Sequence, residues 1–439
     1  MKHKLLPLLL FSFFVVIFHG KVKAQTGRLI TLKEAIELSI KNSNQLKFNQ
    51  AKIEEATAAL REAVERKWPD ASLTASHLRI ASPNVDIKIK SSSSSGNSSQ
   101  TPTPSSVSYG IANVSLPLYA GHRIRFGIES GKYLEQAAQL DAENQREAVI
   151  LNTIEAFENL YKAHAATMLV KENLEGTHQR VKDFGNLEKN GILARNELLK
   201  VQLQESNTEL SLLDAENNWR LANINMSLML GLPDTTVLQV NEADLQPGTE
   251  LKTIDEYVQH GLQNRKDIEA LGYRKKAAAV AVKSSKTGSY PQVALTGGYI
   301  AADVASILTV TNAINIGLGV QYNIASLWKN GTVDQAKARE KQLLANEAGL
   351  QDAVRLDINR SYQNFLLAKK RIEVYDKAIV QAEENNKIVK NKFSNTLATT
   401  TDLLDADIAL LQVRLNAAFA KADAAVAYNK LLQAAGLLH

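Results

Sequence analysis

The chain has 439 residues, no cysteine and a formal charge of +5. Four of its lysines (Lys2, Lys4, Lys21, Lys23) precede residue 25 with no acid among them, so the remainder is close to neutral, about +1, and a nucleic-acid-binding reading loses its support. Without cysteine there is no disulfide framework and no thiolate metal site.

Residues 1–24 read as a cleaved signal peptide: a basic start, an apolar run from Leu5 to Phe18, and Val22-Lys23-Ala24 closing on a small residue. No cysteine follows to carry a lipid anchor, and no later stretch is apolar for the length a membrane-spanning helix needs. From Leu32 a helical pattern runs to Pro69, since the residue before a proline disfavours helix. Two strands are expected next, at about 70–90 and 107–119. Between them lies the Ser/Pro-rich segment Lys90–Ser106, which cannot pack a core and reads as a solvent loop at a hairpin tip. A helix-compatible stretch without proline then runs from about 123 to 189, roughly 90 Å at 1.5 Å per residue. A returning helix is expected at about 197–230. Stacked end to end, the segments at about 45–68 and 197–230 nearly match the long helix, which suggests a wall two helices thick.

A linker at 232–253 leads into a second copy of the same grammar. The run from Leu32 answers that from Ile254, setting Asn42 on Asn264, Leu46 on Ile268 and Pro69 on Pro291 at one constant offset. A second ungapped match sets Val149 on Val354, Phe157 on Tyr362, Asn159 on Asn364, Leu199 on Leu404 and Gly231 on Gly436. The repeats are therefore 25–231 and 254–439, and the Ser/Pro-rich segment is the extra length in the first. In the second copy strands are expected at about 292–308 and 313–325. Ile314, Ile316, Leu318, Val320, Tyr322 and Ile324 alternate with small or polar residues, over about the eleven residues a tilted strand needs to cross a bilayer. A half-buried strand of a soluble sandwich alternates equally well, so this strand alone leaves both readings open. Four strands cannot close a barrel in lipid, because open edges would leave amides without partners; three chains would supply twelve. A second long helix is expected at 332–393. The return helix, 402–435, carries a 4-3 seam of Leu404, Ile408, Leu411, Leu415, Ala418, Ala422, Ala425 and Leu432, interrupted by Asn429.

Candidate chemistry is sparse. The eight histidines are scattered, with no His-x-x-x-His pair, no Gly-x-Ser-x-Gly elbow and no phosphate loop, so neither an enzyme nor a metal or cofactor site is expected. Trp68, Tyr119, Tyr290 and Trp328 fall near strand–helix junctions, where they suit interface anchoring or ordinary packing.

In this order and duplication, the motifs resemble the TolC-like outer-membrane efflux family. "LITLKEAIELSIKNSNQL" and "TIDEYVQHGLQNRKDI" resemble its start motif. "VSLPLYAGHR" and "VQYNIASLWKNG" resemble its strand-to-helix junction, and "EKNGILARNELLKVQ" and "NKFSNTLATTTDLLDAD" its helical hairpin tips. The resemblance implies a mainly α fold with β: a duplicated helix–β-hairpin–long-helix–helix repeat. As a homotrimer this forms a 12-stranded outer-membrane β-barrel, set in lipid and continuous with a periplasmic α-helical barrel. The segment 232–253 becomes an equatorial linker. The implied function is the exit duct of a tripartite efflux or secretion system, with a periplasmic adaptor (membrane fusion) protein and an inner-membrane pump of RND or ABC type as partners. The resemblance also places Asp402 and Asp405 at the family's acidic entrance, with Glu197 at the position of Asp402 in the first copy. Ala398 stands where the family has a basic clamp. Read from the residues alone, Asp402 and Asp405 are equally well explained as charges in the first turn of a helix, after the cap candidates Thr399, Thr400 and Thr401. A periplasmic coiled-coil adaptor or structural protein is the alternative function; an adaptor has one helical hairpin, and this chain has two.

Overall fold

The computed structural model describes residues 27–81, 105–241, 251–305 and 307–438. The leader, nearly all of Lys90–Ser106 and the later part of the linker lie outside them. In chain order the elements are β1 (Arg28–Ile30), α1 (Leu32–Asn42), α2 (Asn44–Glu65), β2 (Asp70–Arg79), β3 (Ser106–Tyr119), α3 (Arg123–Lys189), α4 (Arg195–Leu230) and β4 (Leu238–Val240). The second copy adds α5 (Ile254–Asn264), α6 (Lys266–Lys286), β5 (Gln292–Val304), β6 (Leu308–Gln321), α7 (Gly331–Ser394) and α8 (Thr400–Ala434). The duplication reaches into the backbone. Gly191 and Thr396 take left-handed φ of 71° and 60° at the two helical reversals, and Gly231 and Gly436 take 70° and 67° after α4 and α8. These are the positions that the second offset pairs.

Each opening helix is broken where the sequence suggests continuity. Ser43 separates α1 from α2, its hydroxyl accepting from the Leu46 amide at 3.3 Å, a local cap that competes with the helix ladder. Arg265 separates α5 from α6 at the matching position of the second copy. Its guanidinium donates to both oxygens of Asp267 (3.1 and 2.8 Å), to Asp357 (3.2 Å) and to the carbonyl of Ala434 (3.0 Å). Burial opposes that charge, yet these partners hold its pKa above the ordinary arginine value.

The chain divides into two units. One comprises the chain up to Leu38, Ala156–Gln246 and Ala378–Ala422; the other comprises Ser39–Glu155, Pro247–Lys377 and Asp423–His439. In the first, β1 pairs in parallel with β4 over a core of Ile30, Phe157, Leu160, Met226, Leu230 and Leu238. Asn223, nearly buried, uses its amide twice: Nδ2 donates to the Thr236 carbonyl at 2.6 Å, and Oδ1 accepts from the Leu238 amide at 2.8 Å. The linker strand is thereby tied to α4. In the second unit, Tyr257, Val354, Ile358, Phe365 and Leu431 form the matching core.

The second unit also holds a four-stranded sheet in the order β2-β3-β5-β6, antiparallel throughout, so β2 and β6 are its edges. β2 ends at Arg79, and the later part of the strand expected at about 70–90 lies outside the described residues. β6 starts at Leu308 and stops at Gln321, and Ile324 lies in a 3-10 turn, Ile324–Leu327. A bulge between Ile300 and Ala302, with Asn312 at φ 57°, absorbs the change of register in the second hairpin. The seam of α8 is also displaced. Leu403, Ala417, Ala424 and Leu431 are buried one residue ahead of the expected line and Ala406 and Ala420 two ahead, while Ile408 is 46% exposed. Alanines on both lines blur the phase: Ala422 and Ala425 are buried too.

Candidate functional site

Two places carry unusual chemistry, the sheet and the helical tips. Register fixes the faces of the sheet. On one, successive rows are Leu73–Ala112–Tyr299–Ile314, Ala71–Val114–Gly297–Ile316, Leu116–Leu295–Leu318 and Tyr119–Val293–Val320. On the other they are Ser72–Asn113–Gly298–Asn315, Asp70–Ser115–Thr296–Gly317, Pro117–Ala294–Gly319 and Gln292–Gln321. The first face is apolar and bare: Leu73, Ile314 and Ile316 are 82%, 79% and 81% exposed. From Val293 to Ala301 it extends about 27 Å along the strand, which at the tilt of a membrane-barrel strand covers about 20 Å of an apolar band about 25 Å tall. Trp68, Tyr119, Tyr290 and Trp328 are exposed where the strands meet the helices. On the polar face Gly298 is required: an added Cβ would lie 2.9 Å from the Asn315 amide oxygen, 3.0 Å from the Ala112 carbonyl and 3.2 Å from the Asn113 amide oxygen.

At the tips, α3 turns into α4 and α7 into α8, and the two reversals meet within the first unit. Phe184 stacks on Phe393 (centroids 5.3 Å, planes 7° apart), beside buried Leu198, Val201 and Leu403. Glu197, in the first turn of α4, accepts a hydrogen bond from Thr400 of the second tip, and Lys200 and Asn196 each donate to it at 2.9 Å. The Thr400 bond, then the Lys200 bond, hold its carboxyl below the usual range. Asp402 caps α8: Oδ2 accepts from the Thr399 hydroxyl (2.7 Å) and amide (2.8 Å), and the Asp402 amide donates back to the hydroxyl at 3.1 Å. That pair of bonds lowers its pKa. Asp405 is exposed one turn further on. The three candidate acids thus lie at the joined tips, and two of them already hold the helix starts in place.

Sequence reasoning missed Asp407. Its carboxylate pairs with Arg180 of α3 and lies 3.7 Å from Lys390 of α7, and Asn386 donates to it at 2.8 Å. The side chains of Arg180 and Asp407 are only 16% and 12% exposed. One residue therefore joins three helices from both repeats. Arg414 repeats the arrangement further along α8, reaching Glu172 of α3 at 3.5 Å and Glu383 of α7 at 2.9 Å. On α3 and α4, His178 is paired with Glu205, and that bond raises its pKa. Among the described residues no helix is long and apolar enough to cross a membrane, and no group of three or more histidine or acidic side chains is arranged to hold a metal ion.

Comparison with solved structures finds the same fold. The outer membrane protein VceC of Vibrio cholerae matches with a TM-score of 0.73 at 20% identity, over 92% of this chain and 96% of that one. The Campylobacter jejuni CmeC outer membrane channel matches at 0.72 and 18%, over 92% and 85% of the two chains. The Neisseria gonorrhoeae MtrE outer membrane channel, solved in its open state, matches at 0.71 and 15%, over 93% and 89%. Among curated proteins, sequence comparison finds no match. The family model for outer membrane efflux proteins matches residues 35–232 and 257–437, which takes in nearly all of both repeats. The chain belongs to the outer membrane efflux protein family, whose members are channels and not enzymes.

Proposed function

We propose that three copies of this chain assemble into one exit duct, each giving four strands to a twelve-stranded barrel in the outer membrane and its long helices to a periplasmic tube. One observation carries the reading: a sheet with a bare apolar face of about 27 Å along the strand and, among the described residues, two unpaired edges. Amides at those edges find no water in lipid, so the sheet has to be completed by other copies. α4 supports it. Its buried line is Val201, Thr208, Ala215 and Ala222, while Leu203, Leu210, Leu213 and Leu228 are each more than 60% exposed, a second apolar stripe that suits a neighbouring copy. An isolated coiled-coil adaptor has no use for such a sheet.

In this reading residues 1–24 are a cleaved leader, 25–231 and 254–439 are the structural repeats, and 232–253 is the equatorial linker. Substrates enter from a periplasmic adaptor and an inner-membrane pump of RND or ABC type. Asp402, Asp405 and Glu197 line the periplasmic aperture, and the Arg180–Asp407–Lys390 cluster holds the tips shut in place of a basic residue at Ala398. The test is conductance in planar bilayers with a polyvalent cation added on the helical side. Asp405→Ala should weaken cation block without disturbing the Asp402 cap; unchanged block in a folded assembly counts against the aperture.

A further inference from the structure

The two faces of the sheet change character beyond Ala301. On the face that is apolar below, the row Ala75–Gly110–Ala301 consists of small residues, and the next row is polar: His77, Ser108, Asp303 and Thr309. Together they border a shallow, widely open depression of about 530 Å³. Its floor is open, since a Cβ added at Gly110 would meet no atom within 4 Å. Bare Leu73 and Ile314 lie one row below the floor, and exposed Arg79 stands on the same face beyond His77.

We propose that this hollow seats the headgroup of a phosphorylated glycolipid from the outer leaflet of the membrane, one per chain. The proposal rests on the duct orientation above, which puts the hairpin ends outside. Depth is the first argument. The apolar band ends at the small row, so the polar row stands at headgroup level, with acyl chains running down over Leu73 and Ile314. Chemistry is the second. Ser108 lies 2.9 Å from the His77 ring nitrogen Nδ1, and the Thr309 hydroxyl donates to Asp303 at 2.7 Å. Each pair keeps capacity in reserve: the other imidazole nitrogen, the second carboxylate oxygen and the spare lone pairs of the hydroxyls. A mixed set of donors and acceptors above a shallow floor suits sugar hydroxyls, and Arg79 supplies the positive charge for a phosphate on that sugar. A phosphatidylethanolamine headgroup, with an ammonium and few hydroxyls, uses little of this.

The test is native mass spectrometry of the delipidated assembly, mixed with a phosphorylated glucosamine-disaccharide lipid or with phosphatidylethanolamine. The glycolipid should be retained at least tenfold better, at one per chain. Gly110→Leu places a side chain over the floor from a Cβ that meets no atom within 4 Å, and it should cut that retention at least tenfold with the assembly mass unchanged. The double variant His77→Ala with Asp303→Asn should do the same by removing partners instead of space. Equal retention of the two lipids, or full retention in Gly110→Leu, overturns the seat. A mass of one chain that still loses glycolipid in Gly110→Leu supports the seat and contradicts the trimer, so the two claims fail separately.

Discussion

Asp402 and Asp405 lie three positions apart on one helix and do different work. Both are exposed, but Asp402 is committed to Thr399, so in the proposed aperture Asp405 is the freer of the two to act on a passing ion. The lowered pKa values of Glu197 and Asp402 have a consequence for pH. A depressed carboxyl pKa contributes stability above its ordinary value and loses it as pH falls through the folded value. Hydrogen exchange at residues 195–203 and 399–405, corrected for intrinsic rate, should therefore be flat from pH 8 to 5 and rise below about pH 4. His178 has the opposite sign. Its raised pKa stabilises the α3–α4 contact below about pH 6.5, and that contribution is lost as pH climbs through the raised value. At Asp407, truncation to alanine leaves Arg180 without its partner in a nearly buried site, at a cost of roughly 2–4 kcal/mol. The variant should show faster exchange at 178–184 and 386–393 and a higher open-state conductance; unchanged exchange would mean that the stacked phenylalanines hold the tips alone. From the residues alone Asp402 was legible as a first-turn charge after a threonine run, which it is, whereas the entrance role of Asp402 and Asp405 came from the family resemblance. Asp407 was not legible. Its partners lie on other helices, and nothing in the spacing of a charged helix tells which side chains converge.

Periodicity made the elements readable where each residue had one environment. Strands alternate where one face is apolar and the other polar; this is cleanest in β6 from Ile314 to Val320 and is lost beyond Ala301, where the faces change character. The breaks at Ser43 and Arg265 were missed because neither residue is Gly or Pro; the available signals were a capping serine before Asn44 and the Arg265–Asp267 pair. Core positions of the long helices are the places where packing cost should be largest. Phe157→Ala, at a fully buried position, should lose about 3–5 kcal/mol, read as a lower thermal midpoint of the folded assembly. The exposed stripe of α4 predicts a different failure. Leu203→Asp with Leu210→Asp should leave each chain folded by circular dichroism and abolish the assembly seen by light scattering; an intact assembly would assign the stripe to solvent.

At the scale of the whole molecule, the duplication was visible as two constant offsets, and the structure repeats them in its left-handed turns and helix breaks. What one chain leaves open is as informative as what it closes. Among the described residues the sheet ends in two unpaired edges and α4 carries a leucine stripe; in the proposed duct further copies complete the edges and cover the stripe, and lipid covers the apolar face. Imaging of single particles in lipid nanodiscs tests this most directly. The account predicts a threefold particle in which each copy contributes four strands to one closed barrel above a helical tube. A particle built from one chain, with β2 and β6 paired inside its own fold, would contradict it.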